Sequence, residues 1–362
     1  MVKRMESYLA AIDLGTTSVG VSLLRPDGTV AAKHGFSNPW RRYGSDVISR
    51  ITWQEKHPDQ RCVPGDEMKQ EVISVLDRML SWQEGRTLSS LGRICITGNA
   101  AMTALFLGLD VSGLGKAPFS LPFEEQRTVS ISGIPCMVPA SASAFLGSDS
   151  VGGAWCLPLE EDEMLMDLGT NGEMLFCHKG EIYGASAACG PAFENCTRSQ
   201  GIYGSTTVSA IAGLIRRGVL TGDGILSEDM VKNGILSNGI RITADILHQI
   251  QLASAAIHAT FALLLKCAGS SPESMKRIYL AGGFGFHLSL RDAVTIGLIP
   301  ERLQDRVTIV GNTSLLAAEK MVREGAEAYD VFRRKIHTQQ LTEDPAYESL
   351  LYSAMKLGKR NL

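Results

Sequence analysis

The chain carries one tetrapeptide twice, Asp13-Leu14-Gly15-Thr16 and Asp167-Leu168-Gly169-Thr170, and the surroundings of the two copies repeat with it. An apolar run precedes each copy, Tyr8–Ile12 and Met164–Met166. A β-rich run follows, Val19–Leu24 and Glu173–Cys177. A turn comes next, Pro26-Asp27-Gly28 in one copy and His178-Lys179-Gly180 in the other, and then a third run, Thr29–Lys33 and Glu181–Ala185. Each copy therefore predicts strand, tight turn, strand, turn, strand.

The parallel continues downstream. Arg93-Ile94-Cys95-Ile96-Thr97-Gly98-Asn99 is similar to Arg277-Ile278-Tyr279-Leu280-Ala281-Gly282-Gly283, in each case a short buried strand ending in Gly before a helix. Pro135–Pro139 leads into a small-residue helix expected over Ala140–Ala154. Its counterpart is Val307–Val310, leading through Gly311-Asn312-Thr313-Ser314 into a helix expected over Leu315–Arg323. A repeated order of elements marks a duplication far better than four matching residues do. Each half reads as βββ followed by helix, strand, helix, strand, helix. That order predicts an α/β protein of two lobes, each a mixed sheet flanked by helices. The lobes are expected at 1–156 and 157–362, the second with a helical insertion at about 205–270 and a polar, helix-prone tail at 336–362. Leu157–Asp162 and Gly218–Gly224 read as linkers. Thr243–Cys267 is the longest helix candidate, capped by Thr243 or Asp245, with Ile246, Ile250, Ala253, Ile257, Phe261 and Leu264 on one stripe. Loops at strand carboxyl ends are where ligands sit in such sheets. The two DLGT turns are therefore expected to face one another across a cleft.

These turns suit phosphate. Gly15 and Gly169 let the main chain approach a ligand without a Cβ. Thr16, Thr17 and Thr170 add hydroxyls, Asn171 an amide, and the turn exposes backbone N–H groups. Asp13 and Asp167 would repel phosphate, so their expected role is to hold Mg²⁺ through water or to orient an attacking water. The glycines of Leu280-Ala281-Gly282-Gly283-Phe284-Gly285 permit close approach by an adenine or ribose ring. Other nucleotide signatures fail. Gly108–Gly113 has Walker spacing, but Leu114 follows where Lys is required, and no G-x-G-x-x-G follows a strand.

Composition removes several function classes. With 44% hydrophobic and 20% charged residues, a sizeable core forms. A net charge of −3 argues against a nucleic-acid binder that works by phosphate neutralisation. The most apolar run, Leu252–Leu265, is short of a membrane span and is interrupted by His258; Glu6 and Asp13 spoil a secretory leader. A cytoplasmic location is expected. The eight cysteines form no C-x-x-C pair and the seven histidines no ligand spacing, so no iron–sulfur cluster or zinc scaffold is expected in this chain. Cys189, in a Gly-rich loop, stands apart, although a buried small hydrophobe remains the plainer reading.

At this point the residues resemble a known superfamily. Asp13–Thr17 and Asp167–Asn171 are similar to the two phosphate motifs of the actin/Hsp70/sugar-kinase (ASKHA) superfamily, and Leu280–Gly285 to its adenosine motif. Ala140–Gly152 and Gly311–Ala318 resemble its two connecting helices. The resemblance implies a duplicated ribonuclease H-like fold with a nucleotide cleft between the lobes. Asn38-Pro39, Gly44–Ile51, Gly98–Met102, Asp167–Glu173, Cys189–Glu194, Gly311–Leu315 and the tail Leu341–Pro345 together resemble the reductive activators of corrinoid proteins. That resemblance implies ATP and Mg²⁺ as cofactors, a corrinoid protein as partner and a homodimer. With no cluster cysteines, it implies either electrons from a separate ferredoxin-like donor or a different job for this member of the family. Glu194, with the Gly190-Pro191 turn, is the expected sensor of γ-phosphate or partner, placed beside the cleft or at the partner face; a helix-capping turn explains the same residues equally well.

Three functions remain open on these residues. One is an ATP-hydrolysing activator whose nucleotide state sets its fit to a corrinoid protein. Another is a small-molecule kinase, with Asp149 as candidate base. The third is a nucleotide-gated regulator that does not hydrolyse ATP.

Overall fold

The computed structural model describes residues 7–83, 85–169, 171–193, 204–221, 223 and 233–360. Thr170, Glu194, and Gly222 and Gly224 of the linker expected at 218–224 lie outside the described residues. The chain forms two compact units, Met1–Pro158 with Thr313–Ile336, and Leu159–Asn312 with His337–Leu362.

In the first unit, β1 (Tyr8–Leu14), β2 (Ser18–Leu24) and β3 (Val30–Ser37) form the expected antiparallel meander. After α1 (Val47–Lys56) and α2 (Val63–Ser81), β4 (Leu91–Gly98) pairs parallel to β1 and leads into α3 (Ala100–Phe106). β5 (Arg127–Ile131) and β6 (Ile134–Val138) follow, then α4 (Ser148–Cys156). The sheet order is β3-β2-β1-β4-β6-β5. Met68, Val72, Val75, Leu76, Met79 and Leu80 of α2 recur at helical spacing and are buried in this unit's core.

The second unit repeats the plan. β7 (Glu163–Leu168), β8 (Gly172–His178) and β9 (Glu181–Ala187) form the meander. Next come α5 (Gly204–Arg216), the hairpin β10 (Ile235–Ser237) and β11 (Ile240–Ile242), and α6 (Ala244–Ala268). β12 (Arg277–Ala281) pairs parallel to β7, α7 (Gly282–His287) and α8 (Leu290–Ile296) follow, and β13 (Val307–Gly311) pairs parallel to β12. The sheet order is β13-β12-β7-β8-β9-β14, where β14 is Ile336–Thr338. Reading outward from the meander, β3-β2-β1-β4-β6 and β9-β8-β7-β12-β13 are one topology used twice.

Several sequence expectations are revised. No helix starts at Ala140: residues 140–147 run without regular structure, and α4 begins only at Ser148. The carbonyls of Ala140 and Ser141 are taken by Tyr329 Oη at 2.7 Å and Arg333 Nη1 at 3.2 Å, which keeps them out of a helical ladder. β5 was not expected. It is an exposed edge strand, closed onto β6 by Ser132 and Gly133 at φ 51° and 83°, the two positive values of a tight hairpin. The insertion is not purely helical, because it holds the β10–β11 hairpin. Packing also draws α9 (Thr313–Glu324) and α10 (Glu327–Arg333) into the first unit, whereas chain order had placed them with the second half.

α6 passes the length and composition test for a membrane span. Its Ile250, Ala253, Ile257 and Leu264 are nonetheless fully buried in the second unit's core. Thr243 caps it by accepting from the Ile246 N–H at 3.3 Å, and Gly269 ends it at φ 70°. The polar tail is pinned to this unit. Leu341, Tyr347 of α11 (Ala346–Ser353) and Leu357 join the core. Arg360 donates to Gly297 O at 2.8 Å, to Ser254 O at 3.1 Å and to Ala354 O.

Candidate functional site

In the first unit Asp13 lies at the carboxyl end of β1, in register with Thr97 of β4. Its Oδ1 accepts from Ser314 Oγ at 2.8 Å, and Ser314 Oγ lies 2.9 Å from Thr97 Oγ1. The turn that follows, residues 15–17, is closed tightly: a Cβ on Gly15 would stand 2.6 Å from Ser18 O. Thr16 is 6% exposed, and its hydroxyl accepts from Asn99 Nδ2 at 3.2 Å. Thr17 Oγ1 is buried and has no hydrogen-bond partner among the described residues.

Three carbonyls of this turn are held from outside it. Asn38 Nδ2 donates to Gly15 O at 2.8 Å, Arg50 Nη2 to Thr16 O at 2.8 Å, and the Asn38 N–H to Thr17 O at 2.9 Å. Both side chains are almost wholly buried. Asn38 Oδ1 accepts from the Trp40 N–H at 2.9 Å, and Arg50 Nε donates to Gly44 O at 3.1 Å. Arg50 sits on the buried side of α1 with Ile51 and Gln54, because the capping box between Asp46 and Ser49 sets where that helix starts.

Asp149 opens α4 and feels the charge of Asp13. Burial pushes its carboxyl up to about 7, against the Ser150 N–H that donates to it at 2.8 Å, and Asp13 adds to the rise. Gly147, just before it, stands against Asn99 Cα and would place a Cβ 2.7 Å from Gly98 O, so the approach of this loop to the end of β4 requires glycine.

In the second unit Asp167 occupies the equivalent place, at the end of β7 and in register with Ala281. Gly282 has φ 87° and sits so close that a Cβ would lie 2.5 Å from Asp167 Oδ1 and against Leu168 O. The second turn closes through the Gly169 N–H, which donates to Asn171 O at 2.8 Å. Unlike Gly15, Gly169 has room for a Cβ, its nearest neighbour being Asn171 O at 3.9 Å. Phe284 and Gly285 are buried in α7, while Gly283 is exposed with open space around it. Thus Asp167, Gly169, Asn171 and Gly282–Gly285 gather at one end of the second sheet, and Asp13 to Thr17 at one end of the first.

Cys189 lies in the core of the second unit. It is 5% exposed, packed against Gly172 and Ile257, and burial raises its thiol well above the ordinary range. It reads as a core residue. Glu161, Asp162 and His178 also meet, with His178 Nδ1 at 2.7 Å from Asp162 Oδ1. Glu161 accepts the Lys179 N–H at 2.7 Å, so this group ties down the β8–β9 hairpin.

This duplicated α/β plan has relatives. Residues 8–162 match the RACo middle region; residues 161–202 and 195–362 match the C-terminal domain of RACo, its ASKHA domain. The chain belongs to the RACo family. Corrinoid activation enzyme RamQ of Eubacterium limosum is 26% identical over 423 residues, covering 98% of this chain and 71% of RamQ. The Co(II) methylated amine-specific corrinoid protein reductase of Methanosarcina barkeri is 24% identical over 400 residues, covering 90% of this chain and 71% of that protein. A solved reductive activator for corrinoid,iron-sulfur protein shares the fold at a TM-score of 0.84 and 24% identity, over 99% of this chain and 67% of that one. The RACo-family chain thus carries the duplicated ASKHA fold that the resemblance of its motifs implied.

Sequence reasoning quoted Asn38, Arg50, Asn99 and Ser314 only within motifs and gave them no role. A signal was present for Arg50. It shares with Ile51 and Gln54 the face of α1 that turns inward, where an arginine needs a polar acceptor.

Proposed function

We propose that this RACo-family protein binds Mg·ATP through its two repeated turns and uses it to drive reductive activation of a corrinoid protein. The observation that carries this is the family match running in order along residues 8–362, with relatives named as a corrinoid activation enzyme and a corrinoid protein reductase. The local chemistry fits the cofactor. The Thr17 hydroxyl has no hydrogen-bond partner among the described residues, which suits a phosphate oxygen, and Asp149, raised by burial and further by the charge of Asp13, is a group that a nearby cation would relieve. Asp13 and Asp167 are the residues to hold Mg²⁺ through water, and the metal supplies charge neutralisation of the phosphates. Gly15, Thr16 and Thr17 offer one set of phosphate donors, Gly169, Thr170 and Asn171 the other, and Gly282–Gly285 the nucleoside approach. Asp149, near neutrality, is the group suited to take a proton from an attacking water. Glu194 is proposed to sense the γ-phosphate or the partner.

The electrons come from a separate ferredoxin-like donor, the protein acts in the cytoplasm, and it works as a homodimer. The test combines this chain, Mg·ATP, reduced ferredoxin and a Co(II) corrinoid protein, with the visible spectrum followed for conversion to Co(I). Conversion that needs both ATP and the chain supports the proposal. ATP binding with no conversion and no partner-stimulated hydrolysis rejects the activator role.

A further inference from the structure

Three successive carbonyls of the first turn, those of Gly15, Thr16 and Thr17, are each taken by a donor lying outside the turn. A trans peptide is planar, with its C=O and N–H pointing opposite ways. Fixing each carbonyl on its donor therefore fixes its peptide plane and holds the N–H groups of Thr16, Thr17 and Ser18 pointing away from those donors. A run of backbone N–H groups with a common direction is an anion receptor, whereas carbonyls free to rotate inward would repel phosphate. The donors are themselves fixed. Asn38 is 1% exposed and held by the Trp40 N–H, while Trp40 Nε1 donates to Pro64 O at 2.8 Å. Arg50 is also 1% exposed; it donates to Gly44 O and its Nη1 lies 2.9 Å from Met102 Sδ.

We infer that Asn38 and Arg50 are positioning residues that pre-set this turn to receive the terminal phosphates of a nucleoside triphosphate. The inference rests on the nucleotide reading above and extends it to two residues that need not touch the ligand. Burying a guanidinium is costly, and packing alone at this position of α1 is met by an aliphatic side chain. What the arginine adds is a fixed, charge-assisted bond to Thr16 O and positive charge behind the turn. Ordering the receptor in advance removes that cost from binding.

The test measures ATP and AMP affinities by calorimetry with Mg²⁺ for the wild type, Asn38→Asp and Arg50→Lys, together with thermal melting. Asn38→Asp keeps the acceptor for Trp40 but replaces the donor to Gly15 O with a repelling oxygen. Arg50→Lys keeps the charge and loses the fork. Each variant is expected to weaken ATP by about 10-fold or more, the scale of one charge-assisted bond, and to leave AMP within about twofold, since AMP lacks the terminal phosphates. ATP affinity within about twofold of wild type in a folded variant overturns the inference. So does equal weakening of ATP and AMP, or failure of both variants to melt cooperatively, since each assigns the two residues to the fold alone. A wild type that binds no ATP refutes the nucleotide reading instead.

Discussion

Replacing Gly282 by alanine is expected to destabilise the second unit and to disturb the end of β7, while the same change at Gly283 does neither. Gly282 holds φ 87°, where an L-residue with a Cβ is strained by about 1–2 kcal/mol. The added Cβ would also stand against the main-chain oxygen of Leu168, which cannot turn aside, and 2.5 Å from Asp167 Oδ1, the end of the carboxylate at the candidate site. Forcing a methyl into so tight a place costs about 1–3 kcal/mol more. The sum is about 2–5 kcal/mol, which at roughly 2–4 °C per kcal/mol lowers Tm by about 4–20 °C. Gly283 is exposed within α7 and meets nothing within 4 Å, so alanine there gains up to about 1 kcal/mol from helix propensity. Two neighbouring glycines thus carry opposite signs. Differential scanning calorimetry of both variants, with Mg·ATP titration of each, checks this. Gly282→Ala melting within about 1 °C of wild type, or Gly283→Ala falling as far as Gly282→Ala, would refute the reasoning.

Asp149→Asn is expected to raise Tm at about pH 8 and to lose that advantage toward pH 4. The folded-state value, about 7, lies above the ordinary 3.8, so the cost of ionising Asp149 is absent at low pH and grows as pH rises between these values; melts across that range decide it. His258 moves oppositely. Burial, then the charge of Arg360, lowers it from 6.5 to about 4, so its contribution is whole above pH 6.5 and is lost as pH falls toward 4; His258→Gln is expected to flatten the acid side of the Tm profile. Asp13→Ala and Asp167→Ala are each expected to weaken Mg·ATP by about 10-fold or more with Tm within a few degrees of wild type, and calorimetric affinity unchanged in both removes them from the site.

Much of this protein was legible in its sequence because the informative features are local. The repeated Asp-Leu-Gly-Thr turns, with strand-like runs around them, specify a meander through hydrophobic alternation and turn chemistry, and the structure builds that meander twice. The strands β4, ending in Gly98, and β12, followed at once by Gly282, each lead into a helix and were readable for the same reason. What could not be read is whatever depends on residues distant in the chain. The non-helical path of 140–147 is imposed by Tyr329 and Arg333, whose side chains claim its carbonyls. The membership of α9 and α10 in the first unit follows from packing and reverses chain order. Ser314 reaches Asp13, and Asn38 and Arg50 reach the turn, across separations that no periodicity records. Sequence fixes which backbone shapes are cheap; only tertiary structure decides which buried donor finds which carbonyl, because burial makes an unpaired polar group too costly to leave to chance.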